Sequence, residues 1–313
     1  MAISRARLAT LLSHSLKKAG WAPHQHRLSI FRWEPDSSPL PDWSPSPADW
    51  RRVRQIQSLV DTHCDRPAPA LDLPFYPWPS SPGGATKLDW TSDERPAEAS
   101  FTWSTELSEE SAADLWRQVV VEVAAGWAST NRAGKSAGRL FLGPKARLIF
   151  WPRLVNLHLR EVGCSMGRVV DLFTTLAACG VKLDLKSAYR SISLDADDAL
   201  YQAAILDGTW IVFDRLSFGM AQSPVIFVTF LALTLRRYRD SMPGTLATLT
   251  ALAQYMDDSG IGATSPSAAL DAVYHLIVAL TSDGWWVSAA KTFVYIQRRS
   301  YSTSDSSPTS RRR

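Results

Sequence analysis

Three stretches of the chain repeat apolar residues at helical spacing. Leu115, Val119 and Val123 share one face of a segment that Ser108, Glu109 and Glu110 open and Gly126 closes. Ser223-Pro224 starts a second, with Ile226, Phe227, Phe230, Leu231 and Leu235 as its apolar stripe. A third runs from Pro266 to about Ser282 and turns Leu270, Val273, Ile277 and Leu280 inward. Between these helices the pattern shortens to runs of strand length. Tyr201–Leu206 and Thr209–Leu216 flank Asp207-Gly208, a dipeptide that favours a tight hairpin turn, and the second strand leads to Gly219. Residues 181–194 form a further strand-like run, and 251–264 read as a second hairpin. The order strand, hairpin, helix, hairpin, helix, strand predicts an α+β fold in which helices back one face of an antiparallel sheet.

Composition divides the chain. Residues 1–33 hold no acid and carry Arg5, Arg7, Lys17, Lys18, Arg27 and Arg32, a pattern shared by transit peptides and basic helical arms. Residues 35–100 contain 12 of the 19 prolines, so long regular elements are not expected there, apart from a helix over Pro47–Val60 capped by Ser46. The expected organisation is a basic, then Pro/Trp-rich and partly disordered lead-in over 1–104, a compact region over 105–298, and a Ser/Arg-rich disordered tail over 299–313. No apolar run reaches the roughly 18 residues of a membrane helix, so a soluble intracellular protein with no membrane partner is expected, its compartment, cytoplasm or nucleus, left open. Cys64, Cys164 and Cys179 are too scattered for a disulfide framework or a zinc cluster, and His24, His26 and His63 show no paired ligand spacing. The net charge of +4 is uneven: Arg132, Lys135, Arg139, Lys145, Arg147, Arg153 and Arg160 fall in a block, 123–160, without one acid. Such a block is either a solvated face or a surface that neutralises phosphates.

The strongest candidate chemistry lies at Tyr255-Met-Asp-Asp258, where Asp257 and Asp258 fall at the tip of the second hairpin. Two adjacent carboxylates repel each other unless a cation shares the space. Asp184 sits between Leu183 and Leu185 in the 181–194 run. If that run pairs beside the hairpin, Asp184 faces Asp257, and the two can bridge a pair of Mg²⁺ ions about 3.5–4 Å apart, with the Leu185 carbonyl as a further oxygen ligand.

These residues resemble the palm of a reverse transcriptase. Leu-Asp-Leu-Lys-Ser-Ala-Tyr (183–189) is similar to the family's first palm motif and Tyr-Met-Asp-Asp (255–258) to its third. Between them, Leu-Ser-Phe-Gly-Met-Ala-Gln-Ser-Pro-Val-Ile-Phe (216–227) resembles the motif that opens the long palm helix. Asp-Gly-Trp-Trp-Val-Ser-Ala-Ala-Lys-Thr (283–292) resembles the short motif after the catalytic hairpin. Lys145 to Asn156 looks like a fingers strand of the same family. Phe218 after Leu-Ser points toward retroelement enzymes of the DIRS-like or long-terminal-repeat groups.

The resemblance implies a right-hand polymerase fold, fingers and palm, and an RNA-directed DNA polymerase that adds dNTPs to a primer on an RNA or DNA template. Asp184, Asp257 and Asp258 would be its catalytic carboxylates and, with the Leu185 carbonyl, the ligands of two Mg²⁺ ions, with Mn²⁺ as the alternative. Lys291 would protonate the leaving pyrophosphate, unless it is an exposed strand-end lysine. Lys145 and Arg147 would hold the triphosphate, with Arg153 a further candidate. Tyr189 has the position of the steric gate against the ribose 2′-hydroxyl, or is a core tyrosine; Phe218 and Gly219 would line the nucleotide.

The family's primer-grip hairpin, thumb and RNase H segment do not follow Lys291, so a truncated product is expected; a partner chain supplying them is left open. Two enzyme classes and one binding class compete: a DNA polymerase, a catalytically dead, nucleic-acid-binding remnant of one, and an RNA-directed RNA polymerase, which Tyr189 and Tyr-Met before Asp257 disfavour.

Overall fold

A computed structural model describes residues 46–64, parts of 70–95, 109–143, 147–163, 179–288 and 291–296. Lys145 and the segments 1–45 and 299–313 lie outside the described residues.

Helix α1 (Pro47–Cys64) begins on a reciprocal cap: the Asp49 amide donates to Ser46 Oγ at 3.2 Å, and the Ser46 amide donates to Asp49 Oδ2 at 2.8 Å. Helix α2 (Glu109–Ala124) follows and buries Leu115, Trp116, Val119 and Val120. Strands β1 (Ala128–Ser129), β2 (Ala137–Gly143) and β3 (Arg147–Trp151) lead to a short helix, α3 (Arg153–His158). Strand β4 (Cys179–Asp184) runs into a 3-10 turn over Ala188–Ser191 and the single-turn helix α4 (Ala196–Ala199). The remaining elements are β5 (Ala203–Leu206), β6 (Thr209–Phe213), α5 (Ser223–Ser241), α6 (Gly244–Leu249), β7 (Thr250–Tyr255), β8 (Asp258–Ala263), α7 (Pro266–Ser282) and β9 (Phe293–Ile296).

Two sheets result. The palm sheet has the order β7-β8-β4-β9 and is antiparallel throughout. Helix α7 packs across it, and α5 packs in turn on α7. Alternation along β4 explains the two faces: Val181 and Leu183 are buried at 0% and 1% exposure against the helices, while Lys182 and Asp184 point to the other side. Each fully buried aliphatic or aromatic side chain of this layer, such as Leu276, Ile277 and Phe230, stabilises the fold by about 1.5–3 kcal/mol.

The second sheet, order β1-β6-β5-β2-β3, departs from the expectation. The Asp207-Gly208 hairpin forms as read, with φ of 49° and 74° at its two turn residues, but its strands leave the palm and join the fingers. Strand β5 pairs in parallel with β2 through Ala137↔Ala203 and Gly138↔Ala204. The small residues let the layers approach: a Cβ on Gly138 would lie 2.4 Å from the Phe150 ring. Helix α6 is a further addition to the expected order, because the six residues Gly-Thr-Leu-Ala-Thr-Leu are too few for a helical apolar period to show.

Part of the lead-in is built into the core. Ile56 and Val60 of α1 are buried, α1 packs on α7, and Arg52 pairs with Asp271 at 2.6 Å while lying over the Tyr274 ring. Leu71, Leu73 and Leu88 join the same core. Among the described residues, no helix is long and apolar enough to cross a membrane.

Candidate active site

The hairpin β7–β8 closes at Tyr255↔Asp258, leaving Met256 and Asp257 as its two turn residues, Met256 with φ of 51°. The register places Asp258, and not the expected Asp257, opposite Asp184 on the adjacent strand β4. The reason is the tight turn: it takes Asp257 out of the ladder and lifts it to the tip. Asp257 stays beside β4, because the Leu185 amide donates to its carbonyl at 3.3 Å.

Asp184 is buried to 6% exposure, and Lys291 Nζ donates to both of its carboxylate oxygens at 2.9 Å. Burial pushes the Asp184 carboxyl up; Lys291 pulls it down, and the charges of Asp257 and Asp258 push it up again. All three carboxylates therefore share one electrostatic field. Lys182, two residues before Asp184 and so on the same face of β4, pairs with Asp258 Oδ1 at 3.1 Å. The period of 2 along β4 is the sequence signal that marks it. The Leu185 segment is fixed by two further bonds, Lys186 amide to the Trp286 carbonyl at 2.6 Å and Ser288 amide to the Asp184 carbonyl at 2.8 Å. These bonds bring the 283–292 motif, and with it Lys291, alongside β4.

Tyr189 lies in the 3-10 turn after β4 and is buried at 7% exposure. Its ring meets Phe218 edge-on at 4.5 Å and Phe227 at 5.1 Å, and Phe227 meets Trp285 at 5.6 Å. Phe218 remains 46% exposed, so the Tyr189–Phe218 pair has one ring in the core and one at the surface. Gly219 has φ of 104°, and a Cβ there would sit 1.7 Å from the Phe150 carbonyl oxygen. The backbone that Gly219 approaches in this structure is thus the end of fingers strand β3. Asn156 closes the same junction: its Nδ2 donates to the Gly219 carbonyl and its Oδ1 accepts from the Ala221 amide, both at 2.9 Å.

Gln222 lies inside the 216–227 motif, where residue type alone gives it no role, and the fold makes it a buried clamp. Its Nε2 donates to the carbonyls of Asp89 and Arg160 at 2.7 and 2.9 Å, and its Oε1 accepts from the Asp89 amide at 2.9 Å. The lead-in is held a second time by buried Asp198, which accepts from the Leu88 amide at 2.7 Å and from Trp90 Nε1 at 3.0 Å. Arg147 opens β3 opposite Gly143, but its side chain lies outside the described residues. Arg153 opens α3 and is exposed.

Hard carboxylate oxygens are the donors that Mg²⁺ prefers, and three of them on adjacent backbone segments fit such an ion in kind. As the side chains stand, no group of three His, Cys, Asp or Glu among the described residues is gathered closely enough to hold one. The ammonium groups of Lys182 and Lys291 supply the neutralising charge instead.

Comparison with known proteins agrees with this geometry. Residues 163–304 match the family model described as reverse transcriptase (RNA-dependent DNA polymerase). The fold is similar to a foamy viral protease–reverse transcriptase solved with double-stranded DNA, at TM-score 0.59 and 17% identity over 85% of this chain and 46% of that one. It is also similar to the foamy viral protease–reverse transcriptase solved with an RNA/DNA hybrid, at TM-score 0.57 and 15% identity over 82% and 35%. The chain thus spans less than half the length of these structures. No curated protein sequence matches it significantly. With the family's motif residues meeting on an antiparallel palm sheet, and with the family model matching that region, the chain carries a reverse transcriptase domain.

Proposed function

We propose that this chain forms the fingers and palm of a retroelement RNA-directed DNA polymerase, which adds dNTPs to a primer 3′-hydroxyl on an RNA or DNA template. The observation that carries the reading is the pairing of Asp184 on β4 with Asp258 on the adjacent strand, beside Asp257 in the hairpin turn, with Lys291 on Asp184. Two Mg²⁺ ions, or Mn²⁺, supply when bound the charge that activates the hydroxyl and neutralises the phosphates. Asp184 and Asp257 would hold them, supported by Asp258 and the Leu185 carbonyl. Lys291 Nζ would move from Asp184 to the leaving pyrophosphate and give it a proton. Lys145 and Arg147 would take up the triphosphate, and Phe218 and Gly219 would line the nucleotide.

Primer extension on RNA and DNA templates, with deoxy- and ribonucleotide sets and with and without Mg²⁺, tests the reading. Extension that needs dNTPs and the metal supports it. Duplex binding without extension would favour the second reading, a non-catalytic nucleic-acid-binding remnant, which Lys291 favours by engaging both oxygens of Asp184.

Two further outcomes follow from the placement of the side chains. Tyr189→Ala opens space beside the exposed Phe218 ring, so ribonucleotide incorporation should rise relative to deoxynucleotide by about tenfold or more, as one lost steric contact of about 1.4 kcal/mol allows. An unchanged ratio in competitive extension would make Tyr189 a core residue only. Primer–template affinity should fall steeply with salt and depend little on sequence, because the 123–160 block offers phosphate contacts. The Lys145→Ala/Arg147→Ala double variant should make the log–log salt slope shallower by about 1–2. A slope equal to wild type would leave that block a solvated face.

A further inference from the structure

Arg190 follows Tyr189 directly, and it is a charge buried to 6% exposure on the inner side of the site. Its Nε lies 2.7 Å from Glu122 Oε2 of helix α2, itself little exposed, and its guanidinium sits 5.1 Å from the centre of the Phe213 ring. Nη1 donates to the Leu216 carbonyl at 3.0 Å and to Ser217 Oγ at 2.6 Å, with the Arg215 carbonyl at 3.3 Å. Residue 217 is the one before Phe218. One guanidinium therefore ties together the two backbone segments that carry the Tyr189 and Phe218 rings, and Glu122 anchors it from a third element. A buried ion pair is a poor way to gain stability, since apolar residues of like volume often serve as well. What the guanidinium offers here is a planar fork of donors with fixed directions.

We infer that Arg190, held by Glu122, is a positioning residue that sets the separation of Tyr189 from Phe218 and thereby the room left for the nucleotide sugar. The inference deepens the polymerase reading and rests on it for the identity of the ligand; the bracket itself does not. Both bracketed segments have amides whose protection reports on it: Arg190 to the Ser187 carbonyl, Leu216 to the Ile192 carbonyl, and Ser217 to Gln202 Oε1.

The test compares Arg190→Lys, which keeps a positive charge beside Glu122 but not the fork, with Glu122→Gln and Arg190→Met. Hydrogen exchange should quicken about tenfold or more in segments 186–192 and 215–221, the effect of losing a buried charged hydrogen bond, while β4 and β8 keep wild-type rates. Deoxy- over ribonucleotide selectivity should fall in the same variants, Arg190→Lys included, even where its Tm stays near wild type. Unchanged exchange in the two segments, or equal loosening across the whole palm sheet, would overturn the proposal. So would an intact selectivity ratio in an enzyme whose Tyr189→Ala variant has lost it. Should the wild-type chain extend no primer, the polymerase reading fails, and the exchange pattern alone decides whether the bracket exists.

Discussion

Asp257→Asn is expected to reduce Mg²⁺-dependent primer extension by about three orders of magnitude or more, because a metal-binding carboxylate contributes several kcal/mol of transition-state charge stabilisation. The fold should tolerate the change. Asp257 is a turn residue at the hairpin tip, where Asn is accepted, and removing its charge relieves Asp184 of a neighbour that pushes its carboxyl up. The thermal midpoint should therefore not fall, which separates lost chemistry from lost structure. Single-turnover extension and thermal unfolding on the same preparation make the check. Activity within tenfold of wild type would remove Asp257 from the catalytic set.

The second large effect is on stability, at Gly219. Alanine there meets two obstacles: a φ of 104°, which side-chain-bearing residues rarely adopt, and the Phe150 carbonyl oxygen 1.7 Å from the new Cβ. Backbone strain alone is worth about 1–3 kcal/mol and overpacking a similar amount, so Gly219→Ala should lose about 3 kcal/mol, inside the range of about 2–6 that the two give together. For a domain of this size that is a fall in Tm of roughly 6–12 °C. Because the clash is with backbone, neither partner can escape by a change of rotamer. The Asn156 bonds to Gly219 and Ala221 would be strained together with it. A Tm within about 2 °C of wild type would show that the fingers–palm junction yields more freely than its geometry implies.

What the sequence disclosed was local. The hairpins at Asp207-Gly208 and within 251–264 announce themselves through short-range turn chemistry and flanking apolar runs, and the helices through their apolar stripes. The cap at Ser46 is equally local. Long-range pairing left no such mark. Ala203–Leu206 has no alternation to say which sheet it joins, since both of its faces are largely buried. Asp198, in Asp195-Ala-Asp-Asp198, looks like one more solvated acid, yet it is the residue that the Leu88 amide and the Trp90 indole find in the core. The Arg190–Glu122 contact joins residues far apart in sequence, each ordinary in its own context. At the β7–β8 hairpin the residue types were legible and the register was not: whether Asp257 or Asp258 faces Asp184 depends on which two residues make the turn.

The parallel contact of β2 with β5 has a kinetic meaning as well. Ala137 has to wait for Ala203, and the sheet they share also needs β6, so the fingers cannot close until residue 213 has been synthesised. Helix α1 waits longer still for its seat, since Arg52 and Asp271 are 219 residues apart. Such distant pairings make a chain fold slowly, because the entropy of loop closure is lost before the contacts that offset it form. During translation the early segments would therefore spend their time with apolar faces uncovered, and the yield of native protein would depend on what shields them, a chaperone or a slow ribosome, until α7 emerges.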